Sequence, residues 1–318
     1  MKDFIRFSKK IVLLCVPLVA LIYGLGAFDN MIVRNNLGMI YKIQDSKNYD
    51  SLDYLVIGGS YAYSDISCFP FDSMHLRYYN LGEPAASSDY YEMILNDYLS
   101  HVNQPPKNIL MMLSPIMFCD ICDNWTDYTL HRNLLTPLTN EKVLMKYNIG
   151  LKNYSVLVMK SAQLGFQNIF FRASHTSFQP EDYFKDTRGY LVRPNEITSK
   201  DTAVLTEPWK SMHKRDFAEV KYTHLVALLN TLKEKGIRVI FYEPPTFYTE
   251  RYFTERFLKS YENAVNKLRQ SGYLIIRRDG FSNMVKMENF SDIDHMNHKG
   301  AFTYTTRLLA ELYPSKQQ

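Results

Sequence analysis

Tyr54-Leu-Val-Ile-Gly-Gly-Ser60 is the stretch from which the architecture of this chain can be read. Four apolar residues in succession, not alternating with polar ones, suit a strand covered on both faces. Two glycines then break the strand, and a hydroxyl follows on the turn. Similar runs bounded by turn residues recur at Leu76 to Tyr79, Ile109 to Leu113, Ile237 to Tyr242 and Tyr273 to Ile276. Apolar residues at helical spacing mark Tyr90 to Val102, Phe217 to Leu232, Phe253 to Leu268 and Ala301 to Leu312. Gly236 and Gly272 stand where two of these helices should stop. Strand and helix in alternation predict an α/β fold: about five parallel strands in a three-layer α/β/α sandwich.

In an open parallel sheet, ligand chemistry collects at the carboxyl ends of the strands. The residues that follow each predicted strand are Ser60, Asn80-Leu-Gly82, Ser114-Pro115, Glu243-Pro-Pro245 and Asp279. Before the last helix comes Asp292-Ile-Asp-His295-Met-Asn-His-Lys-Gly300, which can return to the same rim. A hydroxyl nucleophile needs a base, and an imidazole base needs an acid to hold its ring. Asp292 lies three residues before His295, so a single turn can present both groups. Asp294 is the alternative acid, though it adjoins His295 and points awkwardly for that pairing. His298 reads as a helix start. A metal site built from Asp292, Asp294, His295 and His298 is set aside, because the cluster is local and lacks a distant ligand. Gly58-Gly59-Ser60 taken alone is also an ordinary turn; the two ends of the chain reinforce each other.

These pieces resemble the SGNH/GDSL hydrolase superfamily over roughly residues 50 to 118 and 236 to 312. The resemblance implies a flavodoxin-like SGNH fold with Ser60 as nucleophile, His295 as base, Asp292 as its acid, and no cofactor. It implies an oxyanion hole from the backbone N–H of Gly82 or Ala85, with Asn80 or Ser114 adding a side-chain donor. Two departures stand out: Ser114-Pro115 where many members carry asparagine, and Ala85 where a second glycine is common. The apolar amino terminus, Leu113-Ser-Pro115 and Asp-x-x-His-x-Asn-x-x-Gly are similar to a membrane-anchored, cell-envelope branch. That branch includes the D-alanyl transfer protein of teichoic acid modification and alginate-type O-acetyltransferases. It implies a glycan acceptor and a membrane-bound protein that supplies the acyl group.

At 318 residues the chain has room for one large domain with an insertion. Residues 120–210 are rich in Asn, Thr, Tyr and Pro, lack a strand-helix rhythm, and read as an inserted cap or lid. Lys2, Arg6, Lys9 and Lys10 against Asp3 carry +3 of the formal +4, so about +1 remains for the rest and no nucleic-acid footprint exists. Those cations precede an uncharged stretch of 18 residues, Ile11 to Phe28. It is just long enough to cross a ~30 Å hydrocarbon core, with the amino terminus cytoplasmic and the body outside. A cleaved signal peptide is the competing reading, against which no good Ala-x-Ala site stands.

The expected organisation is an anchor over 1–28, a juxtamembrane linker over 29–50 and the SGNH-like domain over 51–318. Cys119 and Cys122 read as a structural bridge or idle thiols. The expected function is an extracytoplasmic serine-dependent O-acyltransferase or esterase acting on a cell-envelope or exported polysaccharide. A non-catalytic binding or assembly component that keeps the fold is the alternative.

Overall fold

The computed structural model describes residues 20–21, 42, 45–83, 86, 88–119, 184, 186–193, 196, 216–246 and 253–314. The chain divides into two compact units, Met1–Tyr41 with Asp127–Pro180, and Lys42–Thr126 with Glu181–Gln318. Of the first unit only residues 20–21 are described, and they are helical. Among the described residues no helix is long and apolar enough to cross a membrane. The rest of the Ile11 to Phe28 stretch, the greater part of 120–210, Cys122 and Ala85 lie outside the described residues.

The second unit holds a five-stranded parallel sheet of order β2-β1-β3-β4-β5. Its strands are β1 (Tyr54–Ile57), β2 (Tyr78–Asn80), β3 (Asn108–Met112), β4 (Arg238–Tyr242) and β5 (Leu274–Ile276). This is the flavodoxin-like order, with β1 and β3 adjacent at the switch point. Register is continuous across it: Val56 pairs with Asn80 on one side and Leu110 on the other, and Leu110 pairs with Ile240. Every residue of β1 is buried, as its unbroken apolar run requires. Burying each such side chain contributes about 1.5–3 kcal/mol, which keeps this strand in the interior of the sheet, between β2 and β3.

The helices are α1 (Ser60–Asp65), α2 (Phe69–Ser73), α3 (Ser88–His101), α4 (Glu219–Glu234), α5 (Glu255–Gln270) and α6 (His298–Leu312). Helix α3 packs on α4, while α6 packs on α1 and α2. The α6 contact matters most for the site, since α1 begins with Ser60 and the loop entering α6 carries His295. Lys42 and residues 45–50, read from sequence as linker, belong to the unit that holds the sheet. Lys42 is itself buried there.

Candidate active site

Ser60 occupies the first turn of α1, directly after the β1 glycines. Gly58 is required by close approach: a Cβ there would lie 2.5 Å from Ala62 Cβ and 2.6 Å from Met112 Cβ. No other residue lets β1 turn so tightly into α1 over the β3 end. As the first helical residue, Ser60 has a backbone N–H with no intrahelical acceptor. Its side chain is half-buried.

The Asp292–His295 turn is built by its own carboxylate. Asp292 Oδ1 accepts from the backbone N–H of Asp294 (2.9 Å) and of His295 (2.8 Å), and from His295 Nδ1 (2.8 Å). Asp292 Oδ2 lies 2.9 Å from the same Nδ1 and accepts from Arg193 Nη1 at 2.8 Å. Burial alone would raise the Asp292 carboxyl. The hydrogen bond and charge of His295, with the two backbone donors, outweigh that and hold it at about 2. With Nδ1 donating to a carboxylate, a neutral imidazole presents Nε2 as its basic atom. His295 Nε2 is buried and has no hydrogen-bond partner.

Contacts between α1 and this turn bring His295 beside the residue that follows Ser60. The Tyr61 and His295 rings lie 5.4 Å apart, centroid to centroid. Tyr61 also hydrogen-bonds Asp294. At the other end of α1, Asp65 Oδ1 accepts from the Met296 backbone N–H at 3.0 Å and from Ser64 Oγ at 2.8 Å. Ser60 and His295 form no hydrogen bond to each other, since Nε2 has no partner. Such bonds often tighten only when substrate is bound. Asp294 is buried and makes no bond to the imidazole, so Asp292 is the acid that holds the ring. His298 is the first residue of α6, with Asn297 as its N-cap.

The oxyanion candidates are placed differently from the sequence expectation. The Gly82 N–H donates to Asn80 Oδ1 at 2.8 Å, so that amide is already engaged. Asn80 Nδ2 in turn donates to Ala62 O at 2.7 Å, tying the end of β2 to α1. Asn80 is wholly buried. Both residues therefore brace the Ser60 turn in this structure. Ser114 is buried and lines a small cleft with Pro115, Glu243, Tyr261 and Arg278, on the β3–β4 side. Glu243 is satisfied there by Tyr261 Oη (2.5 Å) and Arg277 Nε (2.7 Å).

Three residues near the site carry no sequence signal. Arg193, from the expected insertion, reaches Asp292. Lys42 Nζ donates to Gly82 O at 2.5 Å and lies 4.3 Å from the Tyr63 ring centre. Burial pulls Lys42 down to about 7 against the opposing charge of Glu83. Asp65, five residues after Ser60, is completely buried, and its Oδ2 has no partner.

Burial pushes Asp65 up to about 7, opposed by the charge of His295, and pushes Asp294 up to about 6. A carboxyl raised above its unfolded value binds its proton more readily in the folded chain. Its stabilising effect is therefore full below about pH 4 and is lost as pH climbs through the folded value. Asp292 has the opposite sign, and its contribution is lost only as pH falls toward about 2. Asp65→Asn keeps the acceptor for Met296 and removes the titration. It is expected to raise the melting temperature by a few degrees near pH 8 and by much less near pH 5. Thermal melts at the two pH values check this; equal gains would exclude a buried ionisation at Asp65.

Among the solved structures similar to this chain are two bacterial proteins. One is a protein of the G-D-S-L family assigned as lipolytic, from Desulfitobacterium hafniense. It is 8% identical, covering 82% of this chain and 99% of its own, with a TM-score of 0.39. The other, assigned as an acylhydrolase, comes from Bacteroides fragilis and is 10% identical. The match covers 86% of this chain and 95% of that one, with a TM-score of 0.41. No family model and no curated protein matches the chain. At such scores the likeness carries no weight for the chemistry, which rests on the side-chain geometry.

Proposed function

We propose that the protein is a serine-dependent acyl hydrolase or O-acyltransferase, with Ser60 as nucleophile, His295 as general base and Asp292 as the acid that orients it. The imidazole carries this reading. Its Nδ1 is bonded to Asp292, and its buried Nε2 has no partner, beside the residue that follows Ser60. In the reaction His295 Nε2 takes the Ser60 proton as Oγ attacks an acyl carbonyl, and Asp292 steadies the imidazolium that forms. The tetrahedral oxyanion is met by the Ser60 N–H, which as the first amide of α1 has no intrahelical acceptor. Collapse expels the leaving alcohol, which receives the proton from His295. The Ser60 ester then passes its acyl group to a second hydroxyl or to water. Transfer and hydrolysis differ in whether the acceptor excludes water.

The acceptor we infer is a cell-envelope or exported polysaccharide. A cation-led apolar stretch at Ile11 to Phe28 supports an anchored protein with its body outside the cytoplasmic membrane. A membrane-bound protein would supply the acyl group, in keeping with the branch that the Asp292 to Gly300 motif resembles. A second reading, a binding or assembly component without turnover, draws on two observations: the Gly82 N–H is engaged, and Ser60 makes no bond to His295.

Fluorophosphonate labelling of the full chain, followed by peptide mapping, separates the two. Covalent adduct at Ser60, lost in Ser60→Ala, is the expected result. Absence of any Ser60 adduct, with glycan binding unchanged in Ser60→Ala, would establish the second reading.

A further inference from the structure

Arg193 reaches the site from a segment that is pinned on both sides of it. The Asn80 N–H donates to Arg188 O at 2.9 Å, at the end of β2. The Leu191 N–H donates to Tyr63 O at 2.8 Å, within α1. The His298 N–H donates to Arg193 O at 2.7 Å, at the start of α6. Residues 188–193 thus run as a strap from the sheet edge, past the helix that begins with Ser60, to the helix that follows His295. At its end Arg193 Nη1 lies 2.8 Å from Asp292 Oδ2, the oxygen shared with His295 Nδ1. Exposed ion pairs usually do little. This one differs because the backbone delivering the guanidinium is fixed at three points, and both partners are about 70% buried or more.

We propose that Arg193 is a positioning residue for the Asp292–His295 pair, locking the carboxylate in place and opposing premature protonation of the imidazole. The inference deepens the reading of Ser60 as nucleophile, but its central measurement does not depend on it. The charged and titratable groups around His295 are Asp65 and Tyr61 from α1, Asp292 and Asp294 from its own turn, and Arg193 from the strap through the shared carboxylate. Asp292 is the carboxylate bonded to the ring, and Arg193 is the fixed cation that shares it. A base that is already protonated cannot accept the Ser60 proton. Two cations sharing one carboxylate at a partly exposed site shift a titration by roughly one pH unit.

The test is an NMR titration of the His295 ring in the full chain carrying Ser60→Ala, with the signal assigned by His295→Gln. Adding Arg193→Met is expected to raise the His295 midpoint by roughly one pH unit, and Arg193→Lys to restore most of the difference. In the active chain, the acid limb of the Ser60 labelling rate should move to higher pH by the same amount. An unchanged midpoint in a folded Arg193→Met chain overturns the proposal. If that variant does not fold, Arg193→Gln, which can still donate to Oδ2 without charge, answers the same question. Loss of fold in both overturns a role in tuning the imidazole. Failure of the Ser60 reading is a different result: no adduct in the parent chain, while the titration still decides the role of Arg193.

Discussion

His295→Ala is expected to lower turnover of an activated ester such as nitrophenyl acetate by about 10³–10⁵-fold, with little change in KM. His295 presents a basic nitrogen held ready for a proton, with Nδ1 bonded to Asp292 and Nε2 buried and unpartnered. Without it the serine proton must go to water, and the oxyanion donors alone provide the residual rate. Asp292→Asn should fall in the same range for a different reason. Asn still accepts from the Asp294 and His295 backbone through its oxygen, so the turn survives. Its amide N–H₂, however, faces Nδ1 as a donor and drives the imidazole to the tautomer with the proton on Nε2. Steady-state kinetics of both variants check this. A His295→Ala enzyme within tenfold of wild type would remove His295 from the mechanism.

The parallel sheet was legible because burial on both faces leaves a direct trace: the continuous run Tyr54 to Ile57 is the fully buried strand it resembles. The Asp292–His295 pairing was legible for a local reason. Three residues of separation let one carboxylate bond both the backbone and the ring of a single turn. Asn80 and Gly82 show where such reasoning ends. Their chemistry allows oxyanion donation, but the donors and acceptors they meet depend on how α1 settles against the end of β2, and they bond to Ala62 and to each other. Arg193 and Lys42 were beyond reach for the same reason. Neither sits in a motif, and they act through partners 99 and 40 residues of chain away, respectively. Asp65 looks like any helix-end aspartate until packing by α6 closes over it.

The two separations, 99 positions between Arg193 and Asp292 and 40 between Lys42 and Gly82, are closed only by the folded sheet and its helices. Side-chain type says what bond a residue can make; the return path of the chain says which one it does make.

Gly300→Ala is expected to destabilise the fold by about 2–4 kcal/mol, although alanine is the better helix former by about 1 kcal/mol. Gly300 lies in the first turn of α6, where its N–H donates to the Asn297 side chain at 2.9 Å. A Cβ there would stand 2.0 Å from the backbone oxygen of Asn289 and 2.9 Å from its carbonyl carbon. That oxygen accepts from the Asn297 N–H at 3.0 Å, and Asn297 Nδ2 donates to Glu288 O at 2.9 Å. The obstacle is therefore backbone, held by the residue that caps the helix, and it cannot swing aside as a flexible side chain would. Relief requires moving the 288–290 turn away from α6. Phe290 pairs with Met296 across the loop that carries His295, so the same movement should also disturb the imidazole. Gly280 is the control: a Cβ there meets nothing within 4 Å, and Gly280→Ala should change stability by less than about 0.5 kcal/mol. Urea denaturation of the two variants measures the contrast, with ester turnover recorded alongside. A Gly300→Ala chain as stable as Gly280→Ala would show that the helix and the 288–290 turn separate freely, and the close approach would lose its role in holding His295 against α1.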